Sequence, residues 1–370
     1  MSFYDAIEKL DWEKTRTRIY ASTEADVECA LAAERPTMEE FAALVSPAAE
    51  KYLGEMAQKS YLTTRRRFGN TMQLYAPLYL SNICQNHCVY CGFNCTNKIR
   101  RLILSPEQIH AEARAIGRDP FEHILLVTGE APRSASVEYL SGAMAIIEEY
   151  FEQISLEVQP LETDEYRFLI DRSLHAVYVY QETYNRERYP AYHLRGKKMD
   201  YRYRLETPDR LGEAGIYKVG LGNLIGLEDW RTEAWFTALH LRYLENKYWR
   251  TKYSIAFPRL RPYMGEDGFN PQYPATERDL TQLVCAYRLF SEDVELSLST
   301  RESSAYRDKI MPFGITVMSA GSKTTPGGYA EPSLELEQFA TNDNRTPAEV
   351  AAALRSKGLE PVWKDWMPTQ

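Results

Sequence analysis

Short apolar runs and longer amphipathic stretches alternate along most of this chain. After about residue 70 the apolar runs recur eight times, and helical periodicity separates most of them. The runs are Gln73–Ser81, His123–Val127, Ile154–Val158, Ala176–Tyr180, Lys218–Leu221, Tyr253–Phe257, Glu295–Leu298 and Ile315–Met318. Buried strands that alternate with helices predict a parallel sheet, and eight such units predict an α/β fold with a closed (β/α)8 barrel of the TIM type.

Capping patterns mark the starts of several helices. Thr37, Ser105 and Thr346 each precede a helical pattern and are followed three residues later by Glu or Gln, which is the pattern of a capping box. Longer helical patterns cover Val137–Phe151, Trp230–Tyr248 and Asp279–Phe290. We therefore expect an N-terminal helical extension over residues 1–70, the barrel over 71–322 and a C-terminal tail over 323–370, with a turn-rich surface loop at 264–275.

Composition and charge narrow the class of protein. The 370-residue chain has a net charge of −8 and a pI near 5.5, which argues against a general nucleic-acid binder. Its first residues show no basic and apolar secretory signal, and no apolar stretch approaches the ~18 residues of a membrane span. We expect a cytoplasmic protein. The basic segment 195–198 is expected to be solvated surface or to face an anionic ligand.

Three of the six cysteines fall within eight residues. Cys84, Cys88 and Cys91 are spaced C-x3-C-x2-C, whereas six cysteines in the whole chain are too few for a disulfide framework. Three thiolates this close together suit three corners of a [4Fe-4S] cluster. The fourth iron would then lack a protein ligand and be open to a small molecule.

Cys95 leaves other interpretations open, because it extends the spacing to C-x3-C-x2-C-x3-C. A ferredoxin-like cluster with four thiolates is one alternative, although its usual run has a shorter first gap and a final Pro where this chain has Thr96. A structural zinc site is another, but no second cysteine pair is present. Accidental clustering of inert cysteines is the third.

Polar motifs follow most of the predicted strands. In a (β/α)8 barrel the active site lies at the carboxyl ends of the strands, so these motifs are expected to meet at one rim. They are the cysteine loop, Thr128-Gly129-Glu130, Glu157 to Pro160, Tyr180 to Tyr184, Gly220 to Gly226, and Ser297 to Glu302.

Together these segments resemble a known family. The cysteine motif with Tyr90 before its last Cys is similar to that of the radical S-adenosylmethionine (SAM) superfamily. Across nearly the whole chain, the sequence resembles the tyrosine lyases of thiamine biosynthesis, the 2-iminoacetate synthase family. The further segments that carry this resemblance are 67–71, 126–130, 157–161, 180–184, 204–210, 257–262, 298–302, 326–329 and 363–366.

The resemblance implies a reaction and two cofactors, a [4Fe-4S] cluster and S-adenosyl-L-methionine. SAM would bind the open iron and be cleaved to methionine and a 5′-deoxyadenosyl radical. That radical would take a hydrogen from the amine of L-tyrosine, and the Cα–Cβ bond would break to give 2-iminoacetate (dehydroglycine) and p-cresol. The resemblance also implies transfer of dehydroglycine to thiazole synthase, and the electron count requires a reductant such as a flavodoxin or ferredoxin.

The resemblance assigns roles around the cofactors. Cys84, Cys88 and Cys91 would hold the cluster, and Tyr90 would lie by the adenine. The backbone of Thr128-Gly129-Glu130 would orient the SAM amine, although relatives have Gly where this chain has Thr128.

Other roles compete with purely structural ones. Glu157 is a candidate for the ribose hydroxyls or for an ion pair at a strand end. Gly222 and Gly226 suit a close approach to the adenine or a tight βα turn. Arg301, with Ser299, is the candidate for the tyrosine carboxylate, because a guanidinium binds a carboxylate through two parallel hydrogen bonds.

Two choices remain at this point. Arg301 could instead form a structural ion pair with Glu302. The base for the substrate phenol or amine could be Glu182, His193 or Arg204, and the sequence does not choose between them.

Alternative functions are a tryptophan lyase, the tyrosine lyase of hydrogenase maturation, and an electron-transfer protein with four cysteine ligands. The hydrogenase-maturation family has a further C-terminal cysteine cluster, whereas this chain has no cysteine after Cys285.

Overall fold

The computed structural model describes residues 2–261, 269, 271–331 and 337–365. Eight parallel strands form a closed barrel, as the alternating pattern predicts, and three short strands lie outside it. The strands are β1 (Thr71–Ser81), β2 (His87–Cys88), β3 (His123–Thr128), β4 (Gln153–Glu157), β5 (Leu174–Tyr178), β6 (His193–Arg195), β7 (Lys218–Gly222), β8 (Lys252–Ala256), β9 (Glu295–Leu298), β10 (Val317–Ser319) and β11 (Glu360–Val362).

The barrel closes through β1. This strand pairs with β3 on one side, where Ala76 lies opposite Ile124, and with β10 on the other, where Gln73 lies opposite Val317. Each of the eight predicted strands agrees with an observed one to within two residues at both ends. The predicted fold class is confirmed.

Helices cover the outside of the barrel and extend before it. They are α1 (Phe3–Ile7), α2 (Trp12–Tyr20), α3 (Glu24–Ala32), α4 (Met38–Leu44), α5 (Leu53–Phe68), α6 (Pro106–Ile116), α7 (Val137–Ile147), α8 (Thr163–Ile170), α9 (Tyr189–Tyr192), α10 (Tyr201–Leu205), α11 (Thr207–Ala214), α12 (Trp230–Lys247), α13 (Glu277–Phe290), α14 (Ser304–Ile310) and α15 (Pro347–Ser356), with 3₁₀ helices at Pro47–Tyr52 and Lys197–Met199. None of the described helices has the length and apolar character needed to cross a membrane.

The predicted capping boxes are present. At Ser105, the hydroxyl accepts a hydrogen bond from the Gln108 amide, and the Gln108 side chain accepts one from the Ser105 amide at 2.9 Å. Thr37 and Thr346 begin α4 and α15 in the same way. Each box satisfies amide donors that a helix start leaves without intrahelical partners.

The N-terminal helices pack against the wall of the barrel. Phe41 of α4 inserts its ring between Tyr287 and Phe290 of α13, with ring centroids 5.1 and 4.7 Å apart. All three aromatic side chains are buried. The division of the chain into three parts at residues 70 and 322 remains a prediction.

The C-terminal residues close the end of the barrel opposite the cysteine loop. β11 pairs with the start of β1, and the buried Asp365 then forms ion pairs with Lys218 and with His175, the latter at 2.7 Å. This layer keeps the strand starts away from solvent. Trp366 and half of the loop predicted at 264–275, residues 264–268 and 270, lie outside the described residues.

Candidate active site

The cysteine loop folds over the carboxyl end of β1. Within it, β2 pairs antiparallel with β6, so that Cys88 lies opposite His193. Cys84, Cys88 and Cys91 all line one cavity, here called the cysteine cavity. None of the three forms a disulfide. Cys95 is not among the residues that line it, and its amide donates to the Asn86 carbonyl at 2.8 Å.

The side chains of the cysteine cavity fit an iron–sulfur cluster. Burial raises the pKa of the Cys84 thiol to about 11 and raises the pKa of Cys88 and Cys91 as well, so these groups need a cation to ionise. Iron would supply that cation, since thiolates are the usual ligands of iron–sulfur clusters. Among the described residues, no three His, Cys, Asp or Glu side chains are grouped to hold a single metal ion.

Thr128-Gly129-Glu130 forms the adjacent wall. A Cβ on Gly129 would lie 2.9 Å from the Ile83 carbonyl carbon and 3.1 Å from Cys84 Cβ, so the absence of a side chain lets β3 touch the cysteine loop. The buried Thr128 hydroxyl has no hydrogen-bond partner among the described residues. It is therefore a polar atom that a bound molecule in this cavity would satisfy.

Two buried ion pairs lie beside the cysteines. Arg204 donates to Glu130 at 2.8 Å, and the other oxygen of Glu130 accepts from the Asn86 side chain at 2.7 Å. Lys198 donates to Glu182 at 2.8 Å. For Lys198 the prediction of solvated surface is wrong, because only 11% of its side chain is exposed and it lines the cysteine cavity.

A second cavity, here called the arginine cavity, adjoins the first. It is lined by Tyr90, Cys91, Ser299 and Arg301, and it shares Cys91 and Glu157 with the cysteine cavity. The Arg301 guanidinium carbon lies 3.4 Å from the centroid of the Phe339 ring. Within the described part of the chain, the guanidinium donates one hydrogen bond, a long one of 3.4 Å to the Arg259 carbonyl. The structure thus brings the predicted carboxylate-binding residues to the cavity that reaches a cysteine.

The alternative pairing of Arg301 with Glu302 is not found. Glu302 instead forms ion pairs with Arg259 and, at 2.9 Å, with Arg261. Arg301 has no carboxylate partner among the described residues. Ser299 Oγ accepts a long hydrogen bond from the Arg301 amide at 3.4 Å, so the two residues share one turn after β9.

Glu157 ends β4 at the boundary between the two cavities. No hydrogen-bond donor or ion-pair partner contacts its carboxylate within the described part of the chain, so the strand-end ion pair is not observed. Burial raises the pKa of Glu157 to about 7, while the Arg301 charge opposes that shift. A carboxylate in this position is free to accept hydrogen bonds from a ligand.

Gly222, the last residue of β7, and Gly226 in the turn that follows lie at the same rim but line neither cavity. A Cβ on Gly222 would lie 2.9 Å from Tyr180 Cδ1, and Gly226 has φ of 115°, which favours glycine. Packing against Tyr180 therefore accounts for Gly222, and the backbone of the turn accounts for Gly226. Leu224 between them lines the arginine cavity. Contact of their backbone with the adenine stays a prediction.

Tyr90 and the three candidate bases already have partners. His193 Nδ1 lies 3.0 Å from the Tyr189 carbonyl, so this nitrogen donates and Nε2 accepts from the Tyr90 hydroxyl at 2.7 Å. Arg204 and Glu182 are in the ion pairs described above. Of the three candidates, only Glu182 lines both cavities. Its backbone is held at φ of 71°, an uncommon value for a residue with a side chain.

Sequence reasoning missed two residues from the C-terminal segment. Gln338 Oε1 accepts from the Tyr79 hydroxyl at 2.7 Å, and its Nε2 lies 3.9 Å from Cys91 Sγ. Phe339 covers Arg301. Both residues line the arginine cavity. Neither lies in a periodic segment or a motif, so the chain gives no local signal for them.

Barrel and site together define the class of protein. A closed eight-stranded parallel barrel with three cysteines at its carboxyl rim is the arrangement of the radical SAM superfamily, whose sequence profile matches residues 78–236. The profile of the Biotin and Thiamin Synthesis associated domain matches residues 256–360.

The particular family follows from similarity over nearly the full length. The chain is 50% identical to 2-iminoacetate synthase of Escherichia coli (strain K12) over 366 residues, which cover 99% of this chain and 97% of that protein. It is 48% identical, with the same coverage, to 2-iminoacetate synthase of Salmonella typhimurium (strain LT2). The chain belongs to the 2-iminoacetate synthase family.

Solved structures of other proteins have the same fold. HydG, described as a maturase of the [FeFe]-hydrogenase, has a TM-score of 0.89 and 30% identity, covering 95% of this chain and 80% of that one. HydG from Carboxydothermus hydrogenoformans has a TM-score of 0.84 and 30% identity, covering 97% of this chain and 82% of that one. Methylornithine synthase (PylB), at 18% identity and a TM-score of 0.73, shares the fold, covering 91% of this chain and 97% of that one.

Proposed function

We propose that this protein is a 2-iminoacetate synthase, a radical SAM lyase that cleaves L-tyrosine between Cα and Cβ. One observation supports this assignment above the others. The arginine cavity contains a guanidinium with no carboxylate partner among the described residues, and the same cavity reaches Cys91 of the cysteine loop. The carboxylate of an amino-acid substrate and a reactive cofactor can therefore bind in adjoining cavities.

Arg301 holds the substrate carboxylate. A guanidinium presents two parallel N–H donors to a carboxylate, and burial strengthens such charge-assisted hydrogen bonds. The Phe339 ring on one face of the guanidinium limits its rotation. Ser299, two residues earlier in the same turn, has its hydroxyl available as a further donor. Together they fix the Cα end of tyrosine.

The aromatic walls of the arginine cavity suit the phenol ring of the substrate. Tyr75, Tyr79 and Tyr180 line the arginine cavity together with Leu125 and Phe257. Such a lining favours an aromatic side chain and excludes water from the reacting atoms. Exclusion of water also protects a product imine from hydrolysis while it remains in the cavity.

Cys84, Cys88 and Cys91 hold the [4Fe-4S] cluster, and the polar wall of the cysteine cavity holds SAM. Bound together, these cofactors supply the radical that takes a hydrogen atom from the substrate amine. The backbone of Thr128-Gly129-Glu130 would orient the SAM amine, and Glu157 would accept hydrogen bonds from the ribose hydroxyls. Tyr90 would lie by the adenine.

The bond changes balance as follows. The substrate amine loses one hydrogen atom, the Cα–Cβ bond breaks, and Cα with its nitrogen and carboxylate becomes 2-iminoacetate. The benzylic fragment takes up one electron and one proton to become p-cresol. Of the three candidate bases, Glu182 lines both cavities, and it is ion-paired with Lys198.

Two partner proteins follow from this chemistry. The electron source is a flavodoxin or ferredoxin, and the acceptor of 2-iminoacetate is thiazole synthase, because the imine is short-lived in water. A low-potential cluster also needs a reducing compartment, which supports a cytoplasmic location.

The test is an anaerobic assay on the reconstituted protein. With dithionite, SAM and L-tyrosine, we expect 5′-deoxyadenosine and p-cresol in comparable amounts, with glyoxylate formed by hydrolysis of the imine. L-tryptophan in place of tyrosine serves as the comparison substrate. Deoxyadenosine without p-cresol would keep the radical chemistry and reject tyrosine as the substrate.

A further inference from the structure

The strand that covers Cys88 exposes an unusual set of side chains. We call residues 193–199 the strap; it comprises β6 and the 3₁₀ helix that follows. Leu194 and Met199 are each 48% exposed, and they belong to a small set of large hydrophobic side chains exposed in the described structure. Arg195 and Lys197 between them are also exposed.

The strap lies directly on the cysteine loop. His193 pairs with Cys88 across two neighbouring strands, which stand about 4.8 Å apart. The Lys198 amide donates to the Asn86 side chain at 3.1 Å. A Cβ on Gly196 would lie 2.8 Å from Asn86 Cα, so the two backbones touch. The outer side chains of the strap are therefore one strand away from a cluster ligand.

Arg195 and Lys197, the two exposed cations of the strap, have no carboxylate partner among the described residues, whereas Lys198 is paired with Glu182. Lys197 instead lies 4.3 Å from the centroid of the Tyr203 ring. Nearby surface arginines are paired, such as Arg186 with Glu8 and Arg202 with Glu206. The chain as a whole has a net charge of −8, so this basic surface stands out locally. Unpaired cations beside exposed apolar side chains are the composition expected of a surface on which an acidic protein docks.

We propose that the strap is the surface on which an acidic one-electron carrier protein docks to reduce the cluster. This inference rests on the proposed function, since it needs the cluster at Cys88. One electron passes from the reduced flavin or iron–sulfur centre of the carrier to the oxidised cluster, with no bond made or broken. Electron transfer between proteins weakens steeply with distance, and the strap offers a short path from solvent to Cys88.

The test reverses the two charges in the reconstituted protein, as Arg195→Glu with Lys197→Glu. The matched control is Arg355→Glu with Lys357→Glu, which has the same spacing of an exposed Arg and Lys at the opposite end of the barrel. Three quantities are measured at low ionic strength with a purified acidic flavodoxin: its Kd, the rate at which its reduced form bleaches the cluster absorbance, and turnover driven by dithionite.

For the strap variant we expect the Kd to rise and the rate of cluster reduction to fall, each about 10-fold. Added salt should lower the rate of cluster reduction in the wild-type protein towards that of the variant, because salt screens surface charges. Turnover with dithionite should be unchanged, since this small reductant needs no docking. The control variant should match wild type in all three measurements.

Several results would overturn the inference. Equal reduction rates in wild type and variant would place the docking surface elsewhere. Loss of dithionite turnover together with the carrier-driven rate would mean that the strap supports the cluster and does not bind the carrier. A protein that reduces its cluster normally but forms no p-cresol would refute the proposed function while leaving the docking result valid.

Discussion

Arg301 and Phe339 bring the last barrel turns and the C-terminal segment into contact, with the guanidinium carbon 3.4 Å from the ring centroid. The contact positions a cation over the arginine cavity, and Glu302 remains paired with Arg259 and Arg261. The arrangement leaves the charge of Arg301 available to a ligand carboxylate.

Replacing Arg301 by Lys should impair tyrosine binding while sparing the cluster. Lysine keeps the charge but loses the two parallel donors, and a hydrogen bond to a charged group contributes about 1.5–3 kcal/mol. We expect kcat/KM for tyrosine to fall about 10- to 100-fold. Arg261→Lys is the control, because lysine can keep its ion pair with Glu302. A larger loss in that control would move the carboxylate site to Arg261.

Replacing Cys95 by Ala should leave the cluster in place. Cys95 is not among the residues that line the cysteine cavity, whereas Cys88 is. We expect normal iron and sulfide content in Cys95→Ala and loss of most of the iron in Cys88→Ala. The measurement is iron per chain with the absorbance spectrum after anaerobic reconstitution. Loss of the cluster in both variants would support ligation by four thiolates and the electron-transfer alternative.

Replacing Gly129 by Ala should disturb the cysteine loop. The added carbon would meet the Ile83 carbonyl group and Cys84 Cβ, and a backbone carbonyl does not move aside cheaply. We expect lower cluster content and lower stability. Gly142→Ala in α7 is the matched control, because nothing lies within 4 Å of its added carbon. Ala favours a helix interior by about 0.5–1 kcal/mol over Gly, so that variant should be slightly more stable than wild type.

The stability of the protein should fall with pH below about 6.5, in part because of His123. This buried imidazole contacts Gln73 and Ser155, and burial lowers its pKa to about 3. Between about pH 3 and 6.5 the unfolded chain binds a proton that the folded chain does not, so the unfolding free energy rises with pH. His123→Asn should reduce that slope by up to about 1.4 kcal/mol per pH unit. Urea unfolding at pH 5.0, 5.5 and 6.0 measures it; identical slopes would refute the assignment.

Replacing Lys218 by Met should destabilise the end of the barrel opposite the site. Lys218 is buried between Asp365 and Glu295, and it lies 2.7 Å from both oxygens of Glu295. Its removal takes the ion-pair partner from the largely buried Glu295 and one ion-pair partner from the buried Asp365, which costs about 3–5 kcal/mol. The exposed Lys252, which begins β8, is the control, and Lys252→Met should change stability by less than about 0.5 kcal/mol. Urea midpoints of both variants check this.

The barrel could be predicted because each strand is short, apolar and bounded by polar turns. The carboxyl ends of the predicted strands form one rim of the barrel. The residues near Cys84, Thr128, Glu157 and Arg301 follow those strand ends, so the sequence alone placed them together. Lys198 could not, because its sequence neighbours Arg195 and Lys197 are exposed and only the fold reveals that it is buried. Gly222 and Gly226 show a different limit, since close packing, a tight turn and a ligand contact all favour glycine, and the sequence does not distinguish these causes.

The contacts made by the C-terminal segment escaped sequence reasoning for a different reason. Gln338 and Tyr79 are joined by a hydrogen bond across 259 positions of sequence. Asp365 likewise meets Lys218 only after the barrel has formed. Long-range polar contacts of this kind leave no periodic pattern in the chain.

The position of Gln338 has a consequence for biogenesis. It lies 247 residues after Cys91, whose sulfur it faces. A ribosome therefore makes the cysteine loop long before the side chain that completes its surroundings. We expect iron insertion to follow release of the polypeptide, so that the assembly machinery for clusters meets an otherwise finished barrel.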